Sequence, residues 1–441
     1  MKEQTAVREL VLDTLLEEER APGHSHLLIA GLLEKNRDLP QRDKAFAKRL
    51  FEGTVERRIT LDYFLNTVSK TPVRKMKPLI RCLLRMGTYQ LLYMDQVADY
   101  AAISESVNLA GKRGFAALKG FVNGVLRSIA RGRDAGSLTL PERDADPVRH
   151  TSVKTSVPEE LVRVFVCEYG PERAEEILEG FLSVRPVSLR FRTDLSEAEK
   201  ERILEEMRKG GAQLRQSPLA AQVYLLTGAG DLTDLPGYRE GAFLVQDASS
   251  VCAVLAAGIR PGDRVLDCCA APGGKSLLAF ELAGPDGSVT ARDVSAEKAA
   301  RIRENAKRMG AENLQVEVWD AGIFRQEDAG TYDVVLLDVP CSGLGILGKK
   351  RDIKYRLGEE DFASLEALQE RIVSVCAQYV RPGGTLLYST CTLRRAENED
   401  RAEWIAREAG FSLEEMRRFT PDTDPCDGFF YAVLRKKEKY D

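Results

Sequence analysis

A ladder of short apolar runs in the second half of the chain constrains the fold more than any other feature. The runs are VLDCC (265–269), VTARDV (289–294), VEVWD, DVVLLD (333–338) and TLLYST (385–390). Stretches of helical period separate them. In SAEKAARIRENAKRMG, Ala299, Ile302, Ala306 and Met309 share one face, and Leu365, Leu368, Ile372, Val375 and Tyr379 repeat the pattern after the fourth run. A strand that is apolar throughout, rather than at every second residue, must be covered on both faces. Alternation with helices therefore predicts a parallel sheet between two helical layers. The tail departs from this pattern, because FSLEEM and FFYAVLRK have a loop but no helix between them. They read as a closing hairpin.

That combination describes the seven-stranded Rossmann-like sheet of the S-adenosylmethionine methyltransferases, with a plain dinucleotide-binding fold as the alternative. Upstream the pattern is different. In VRELVLDTLLEEER, Val7, Leu10, Val11, Leu15 and Leu16 recur at helical spacing, and later segments to about residue 130 continue it. The polar stretch RGRDAGSLTLPERDADP reads as a linker. Next, VSLRFRT alternates Val187, Leu189 and Phe191 with Ser188, Arg190 and Arg192, which predicts a strand with its arginines on a solvent face. Ser196 and Glu199 form a capping box for a helix ending at Gly210-Gly211. The expected architecture is multidomain: an all-α bundle (1–135), a linker (136–150), a small α+β domain (151–240) and the α/β methyltransferase sheet (241–438).

A length of 441 residues suits several domains. No apolar run approaches the ~20 residues that span a bilayer, and MKEQTAVREL has no signal-peptide pattern. No membrane association is expected. The nine cysteines contain no C-x-x-C pair, which suits reduced thiols in a cytosol. All three histidines lie at or before residue 150. Histidine-based catalysis and the commonest zinc sites are thereby excluded from the sheet domain, and no metal is expected. The net charge of −4 hides an asymmetry of +7 over residues 1–140 against −11 beyond. A basic segment on an acidic enzyme suits a polyanionic partner, although a solvated helical surface accounts for it equally well.

Ligands bind such sheets beyond the carboxyl ends of the strands. After the first run comes CCAAPGGKS (268–276), where small residues admit a ligand close to the backbone and a helix opens near Gly274. The absence of G-x-G-x-x-G weakens the nicotinamide reading. Asp293, Asp320 and Asp338 end the next three strands. An acid at the second strand end suits two ribose hydroxyls, and the third lies where an adenine amino group would be. The fourth and fifth strands run into DVPCSG and STCT, so Cys341 and Cys391 should open into one cleft. Buried cysteine is usually inert filler. Turns of Pro, Ser, Thr and Gly do not need filler, which favours a functional reading of both thiols.

These residues match a family. LDCCAAPGGKS, DVPCSGLGILGKKRDIKY, LLYSTCTLRRAENE and DGFF resemble the RNA 5-methylcytosine methyltransferases. The amino-terminal RDKAF, LLRMGTYQLLY and FVNGVLR are similar to a NusB-type RNA-binding domain. Together they resemble the Sun/RsmB branch, which methylates 16S ribosomal RNA, and the likeness covers essentially the whole chain. It implies S-adenosylmethionine as cofactor, contacted by Cys269, Ala270, Ala271, Pro272, Gly273, Gly274, Lys275, Asp293, Asp320 and Asp338. It also implies Cys391 as nucleophile, Cys341 in product release, 16S ribosomal RNA as partner, a cytoplasmic location and a monomer. Val339, Arg351, Thr392 and Thr193 depart from the family's usual residues, and none of these removes a reacting atom.

The chemistry explains the need for thiols. Cytosine C5 is a poor nucleophile until a thiolate adds to C6 and makes the ring an enamine. An ordinary thiol of pKa about 8.5 is only a few per cent ionised at neutral pH, so the site must assist it. Without histidine, the proton acceptor must be a carboxylate, the second thiol or water. Position alone does not assign the two thiols, since both end adjacent strands. An RNA-binding or antitermination factor with a vestigial enzyme domain is the competing reading, and intact Cys341, Cys391, Asp338 and Gly273-Gly274 count against it.

Overall fold

Amphipathic stretches with local stop signals account for the first ten helices. They are α1 (Lys2–Arg20), α2 (Ser25–Lys35), α3 (Gln41–Glu56), α4 (Arg58–Val68), α5 (Pro78–Tyr93), α6 (Asp99–Lys112), α7 (Lys119–Asp134), α8 (Pro147–Thr155), α9 (Glu159–Tyr169) and α10 (Pro171–Gly180). Helices α5, α8 and α10 each carry proline in the first turn, where no amide hydrogen is needed. The structure is a computed structural model and describes residues 2–21 and 23–438. The chain divides into two compact units. One ends at Leu182 and also takes in Leu347–Leu357, while the other holds Ser183–Ile346 and the chain from Gly358.

In the helical unit, Leu12, Leu50, Phe51, Leu61, Leu83, Leu126 and Ile129 form a core shielded from solvent. Each fully buried apolar side chain of this size contributes about 1.5–3 kcal/mol. Helix α8 is tied to α4 by Thr60, whose hydroxyl donates to the Val153 carbonyl at 2.6 Å, and by Ser156, whose hydroxyl accepts from the Ile59 amide at 2.9 Å. The sequence grouped residues 151–182 with the strands that follow. These bonds place them with the bundle.

Leu347–Leu357 is held in the same unit by polar contacts. The Ser25 hydroxyl donates to Asp352 at 2.7 Å, Arg351 pairs with Glu52 at 2.5 Å and Glu56 at 2.9 Å, and the Tyr355 hydroxyl donates to the Val55 carbonyl at 2.9 Å. The Arg58 guanidinium lies 3.6 Å from the centre of the Tyr355 ring. Burial pulls the Lys354 ammonium down to a pKa of about 7, while its Nζ donates to the Glu56 carbonyl at 2.9 Å. Arg351 therefore serves as an ionic anchor.

The second unit opens with β1 (Val187–Phe191), α11 (Glu197–Lys209), β2 (Gln213–Gln216), β3 (Val223–Thr227) and β4 (Phe243–Val245), whose strands form an antiparallel sheet in the order β2-β3-β1-β4. The capping box of Ser196 and Glu199 starts α11 as the sequence predicts. The rest comprises α12 (Ala248–Ala256), β5 (Arg264–Asp267), α13 (Gly274–Ala283), β6 (Ser288–Asp293), α14 (Ala296–Arg308), β7 (Gln315–Val318), β8 (Tyr332–Asp338), α15 (Glu359–Cys376), β9 (Val380–Thr390), α16 (Glu399–Glu408), β10 (Phe411–Phe419) and β11 (Phe429–Lys436). Its seven strands run β10-β11-β9-β8-β5-β6-β7, parallel from β9 to β7 and antiparallel in the closing hairpin. One face is packed by Val251, Leu277 and Ile302 of α12, α13 and α14, and the other by Ile372, Val373, Ala402 and Ile405 of α15 and α16. This is the expected Rossmann-like sheet. No helix among the described residues is long and apolar enough to cross a membrane.

The expectation of a solvent face for Arg190 is overturned. Strand β1 has neighbours on both edges, its Leu189 and Phe191 pack with Ile203 and Leu204 of α11, and Arg190 is 0% exposed on the opposite side. There its Nη1 donates to both Glu281 oxygens of α13 at 2.8 and 2.9 Å, and its Nε donates to Gln246 at 2.7 Å. Arg192 pairs locally with Asp194 at 2.5 Å. Removing one partner of a buried pair strands the other's charge. Arg190→Ala should therefore lower the stability of this unit by about 3–5 kcal/mol, read as a lower urea midpoint in the full-length chain.

Candidate functional site

Strand β5 delivers Asp267 to the base of a loop whose backbone is tightly fixed. The Ala270 amide donates to the Arg292 carbonyl at 2.8 Å, and the Gly273 amide to the Ala270 carbonyl at 2.7 Å. Gly273 caps α13 at φ 105°, a left-handed conformation that a side chain would strain. The helix then opens with first-turn amides that no carbonyl inside it can take. A cavity of about 300 Å³ lies over this loop, lined by Cys269, Ala270, Ala271, Pro272, Gly274, Lys275, Asp267 and Asp338, with Gln246, Ser250 and Asn305 among the surrounding groups.

Asp267 is 1% exposed. Its Oδ2 accepts from the Ser276 hydroxyl at 2.6 Å, while Oδ1 has no hydrogen-bond partner. Burial raises its pKa to about 7, with the Ser276 bond opposing. Lys275, also buried, donates from Nζ to Asp338 Oδ2 at 2.8 Å and lies 5.2 Å from the centre of the Phe429 ring. The Ser389 hydroxyl donates to Asp338 Oδ1 at 2.9 Å, which ties the ends of β8 and β9 together. Burial raises the Cys268 and Cys269 thiols well above their ordinary range.

The two thiols of the sequence reading do meet. Cys341 Sγ and Cys391 Sγ are 3.3 Å apart, and both side chains are partly exposed. The turn that carries them is crowded. The Gly345 amide donates to the Cys391 carbonyl at 2.9 Å, and the Gly428 amide to the Gly345 carbonyl at 2.8 Å. A Cβ on Gly345 would fall 2.0 Å from the Gly428 carbonyl oxygen, so both positions need glycine. The hydrogen bond with Cys391, then burial, then the charges of Cys391 and Glu397 push the Cys341 thiol well above its ordinary value.

Asp293 and Asp320 lie outside the cavity lining. The Asp293 carboxylate is buried, accepts from the Ala271 amide at 3.0 Å and the Val294 amide at 2.8 Å, and pairs with Lys298 at 3.1 Å. Asp320 accepts from the Gly322 amide at 2.8 Å. Two groups, Asp267 and Ser389, went unread in the sequence, and for a third, Glu397, the sequence offers no role beyond capping a helix. Asp267 ended the first strand just as the three chosen acids ended theirs, so a signal was present. Ser389 lay inside the STCT run. Glu397 is fully buried and accepts from the Ser342 amide at 2.9 Å and the Ser342 hydroxyl at 2.6 Å. Nothing local to it marks those bonds. No group of three or more His, Cys, Asp or Glu among the described residues could hold a metal ion.

Comparison with known proteins identifies the family of the chain. Residues 254–435 match the family described as 16S rRNA methyltransferase RsmB/F, and residues 5–131 match the NusB family. A Bacillus subtilis protein named "Probable ribosomal RNA small subunit methyltransferase B" is 34% identical, covering 98% of this chain and 99% of its own. The Proteus mirabilis ribosomal RNA small subunit methyltransferase B is 30% identical over 92% of this chain and 93% of its own. A solved methyltransferase homolog from Pyrococcus horikoshii superposes with a TM-score of 0.59 at 26% identity, covering 66% of this chain and 99% of that one. The chain belongs to the ribosomal RNA small subunit methyltransferase B family, known as RsmB or Sun.

Proposed function

We propose that this protein transfers a methyl group from S-adenosylmethionine to C5 of a cytosine in 16S ribosomal RNA, through a covalent bond between Cys391 and C6. The observation that carries this reading is the 3.3 Å approach of two thiols at the ends of neighbouring parallel strands, one of which ends on Asp338 in the lining of a cavity fit for a cofactor. When bound, the cofactor supplies an electrophilic methyl group on a sulfonium. The residues present suit its other parts. The first-turn amides of α13 and the Cys269–Lys275 loop complement a carboxylate, and the unpaired Oδ1 of Asp267 complements an ammonium. Asp293 keeps acceptor capacity for ribose hydroxyls after its two amide bonds, and Asp320 would face the adenine.

In this mechanism Cys391, as thiolate, adds to C6 and moves electron density to C5. After methylation C5 carries both the methyl and its original hydrogen. A base removes that proton, the C5–C6 double bond re-forms and the C6–S bond breaks, returning the thiolate. Cys341 is placed to receive the C5 proton once its own proton has been released to solvent, and its raised proton affinity makes the resulting thiolate a strong acceptor. Lys275, paired with Asp338, adds positive charge beside the strand ends. The cytosine must be unstacked to reach such a site.

RNA affinity is assigned to the helical unit. Between Asp62 and Asp95 there is no acid, and Lys70, Arg74, Lys75 and Lys77 form no ion pair among the described residues. Beside them a cavity of about 590 Å³ is lined by Arg58, Arg74, Arg81, Arg85, Asn66 and Ser69, with Glu19 and Asp62 pairing to Arg81 and Arg85. Cations without a carboxylate partner beside this hollow suit the phosphates of structured RNA.

Three experiments test these assignments. Cys391→Ala should abolish methylation and form no covalent complex with ribosomal RNA, whereas Cys341→Ala should accumulate a denaturant-resistant one. The reverse pattern on a denaturing gel would exchange the roles.

Because the Asp267 carboxyl titrates near a pKa of about 7, pairing with an ammonium requires loss of its proton below that pH. Calorimetric affinity for S-adenosylmethionine should therefore rise with pH, by up to about tenfold per unit, and level off above about 7. Asp267→Asn should flatten the dependence, and a flat profile for the native protein would remove Asp267 from the site.

Replacing Lys70, Arg74, Lys75 and Lys77 together by alanine should weaken RNA binding and cut the log–log salt slope by about 0.7 for each phosphate that is no longer neutralised. An unchanged slope would place the RNA elsewhere.

A further inference from the structure

Among the described residues, Glu397 is the one fully buried carboxylate that touches both thiol-bearing turns of the site. Ser342 directly follows Cys341, and its amide and hydroxyl donate to the two Glu397 oxygens at 2.9 and 2.6 Å. Thr392 directly follows Cys391, and its hydroxyl lies 2.6 Å from the Ser342 hydroxyl and 3.5 Å from Glu397 Oε1. Gln369 of α15 donates one amide group to both Glu397 Oε2 at 2.9 Å and the Pro340 carbonyl at 3.0 Å. Arg394 Nη1 stands 3.4 Å from Oε1. Each partner of this carboxylate is a donor, which suits its ionised form, and the donors come from three separate parts of the chain.

We propose that Glu397 is a positioning residue for catalysis: it clamps the residue after each thiol and so fixes the Cys341–Cys391 separation on which proton removal and product release depend. The inference rests on the two-thiol mechanism above and extends it to a side chain that touches neither thiol. The geometry explains why a carboxylate is needed. Ser342 offers an amide and a hydroxyl pointing the same way, and only a two-oxygen acceptor takes both while leaving lone pairs for Gln369 and Arg394. An alanine would leave the Ser342 amide, the Ser342 hydroxyl and the Gln369 amide buried with no common acceptor, and each turn would settle independently.

If Glu397 acts through Cys341, its loss should resemble the loss of that thiol's function rather than general collapse. In the full-length protein, Glu397→Ala should still bind S-adenosylmethionine and still transfer one methyl group. It should accumulate the covalent RNA complex, with turnover lowered by about 10²-fold or more, the size of a lost general base. A second readout needs no RNA. Diamide takes two electrons and two protons from a pair of thiols to form a disulfide, so closure of Cys341–Cys391 reports their separation. It should be rapid in the native protein and at least about tenfold slower in Glu397→Ala, the scale of effect seen when supporting groups are removed from a positioned site.

Should Glu397→Ala fail to fold, Ser342→Ala removes only the hydroxyl link, and it should show the same two effects in weaker form. Cys341→Ala, run in parallel, separates the two levels of the argument. Trapping by Cys341→Ala with normal turnover and no trapping in Glu397→Ala or Ser342→Ala would overturn the role of Glu397 alone. Absence of trapping in Cys341→Ala would overturn the two-thiol reading beneath it.

Discussion

Parallel pairing of β8 with β9 is the constraint on which the site depends. The register sets Asp338 opposite Ser389, so the two strands finish level with one another. Everything attached to those ends inherits the alignment: the bond from Ser389 to Asp338, the Lys275 ion pair, and the two turns that bring sulfur to sulfur. A slip of one residue would send each side chain to the opposite face of the sheet. The register is in turn protected by burial, because Val335, Leu336, Leu386 and Leu387 are sealed under helices on both sides.

Around that frame, buried polar groups divide into those already satisfied and those that are not. Arg190 with Glu281 and Gln246, and Glu397 with its donors, are networks that stiffen the walls, although Arg190 Nη2 and Gln246 Nε2 make no hydrogen bond. Asp267 is different, because one of its oxygens is left without a partner at the edge of a cavity. An unpartnered carboxylate oxygen facing a cavity is an acceptor open to a ligand, which is why the cofactor reading rests there.

How much of this was legible in the sequence depended on how local the determining interaction is. The capping box of Ser196 and Glu199 lies within one turn, and the strand ladder is a matter of period, so both could be read directly. Cys341 and Cys391 lie 50 residues apart, yet they were legible because strand order brings the two strand ends together. Arg190 was misplaced because period alone says which side of a strand a residue occupies, not what covers that side. Its partner Glu281 arrives on a helix 91 residues later. Glu397 shows the same limit, since its bond to Ser342 crosses 55 residues with no motif to announce it. Arg351, a departure from the family pattern, made sense only once Glu52 and Glu56 stood beside it.

The segment Leu347–Leu357 carries a further consequence. The chain leaves the sheet unit just after the Cys341 turn, spends eleven residues embedded in the helical unit, and returns at Gly358 to begin α15. The protein is therefore threaded, not merely joined at its linker. Cutting near residue 140 would leave the enzyme half with a stretch bearing Arg351, Asp352, Lys354 and Tyr355 that had lost Glu52, Ser25, Glu56 and Val55, the groups that satisfy them. Shuffling the helical unit onto another enzyme, or deleting it, would require rewriting a loop more than two hundred residues downstream of the apparent boundary. Such threading makes the pair heritable as a single piece, and it gives selection a reason to keep the two halves together that has nothing to do with the reaction.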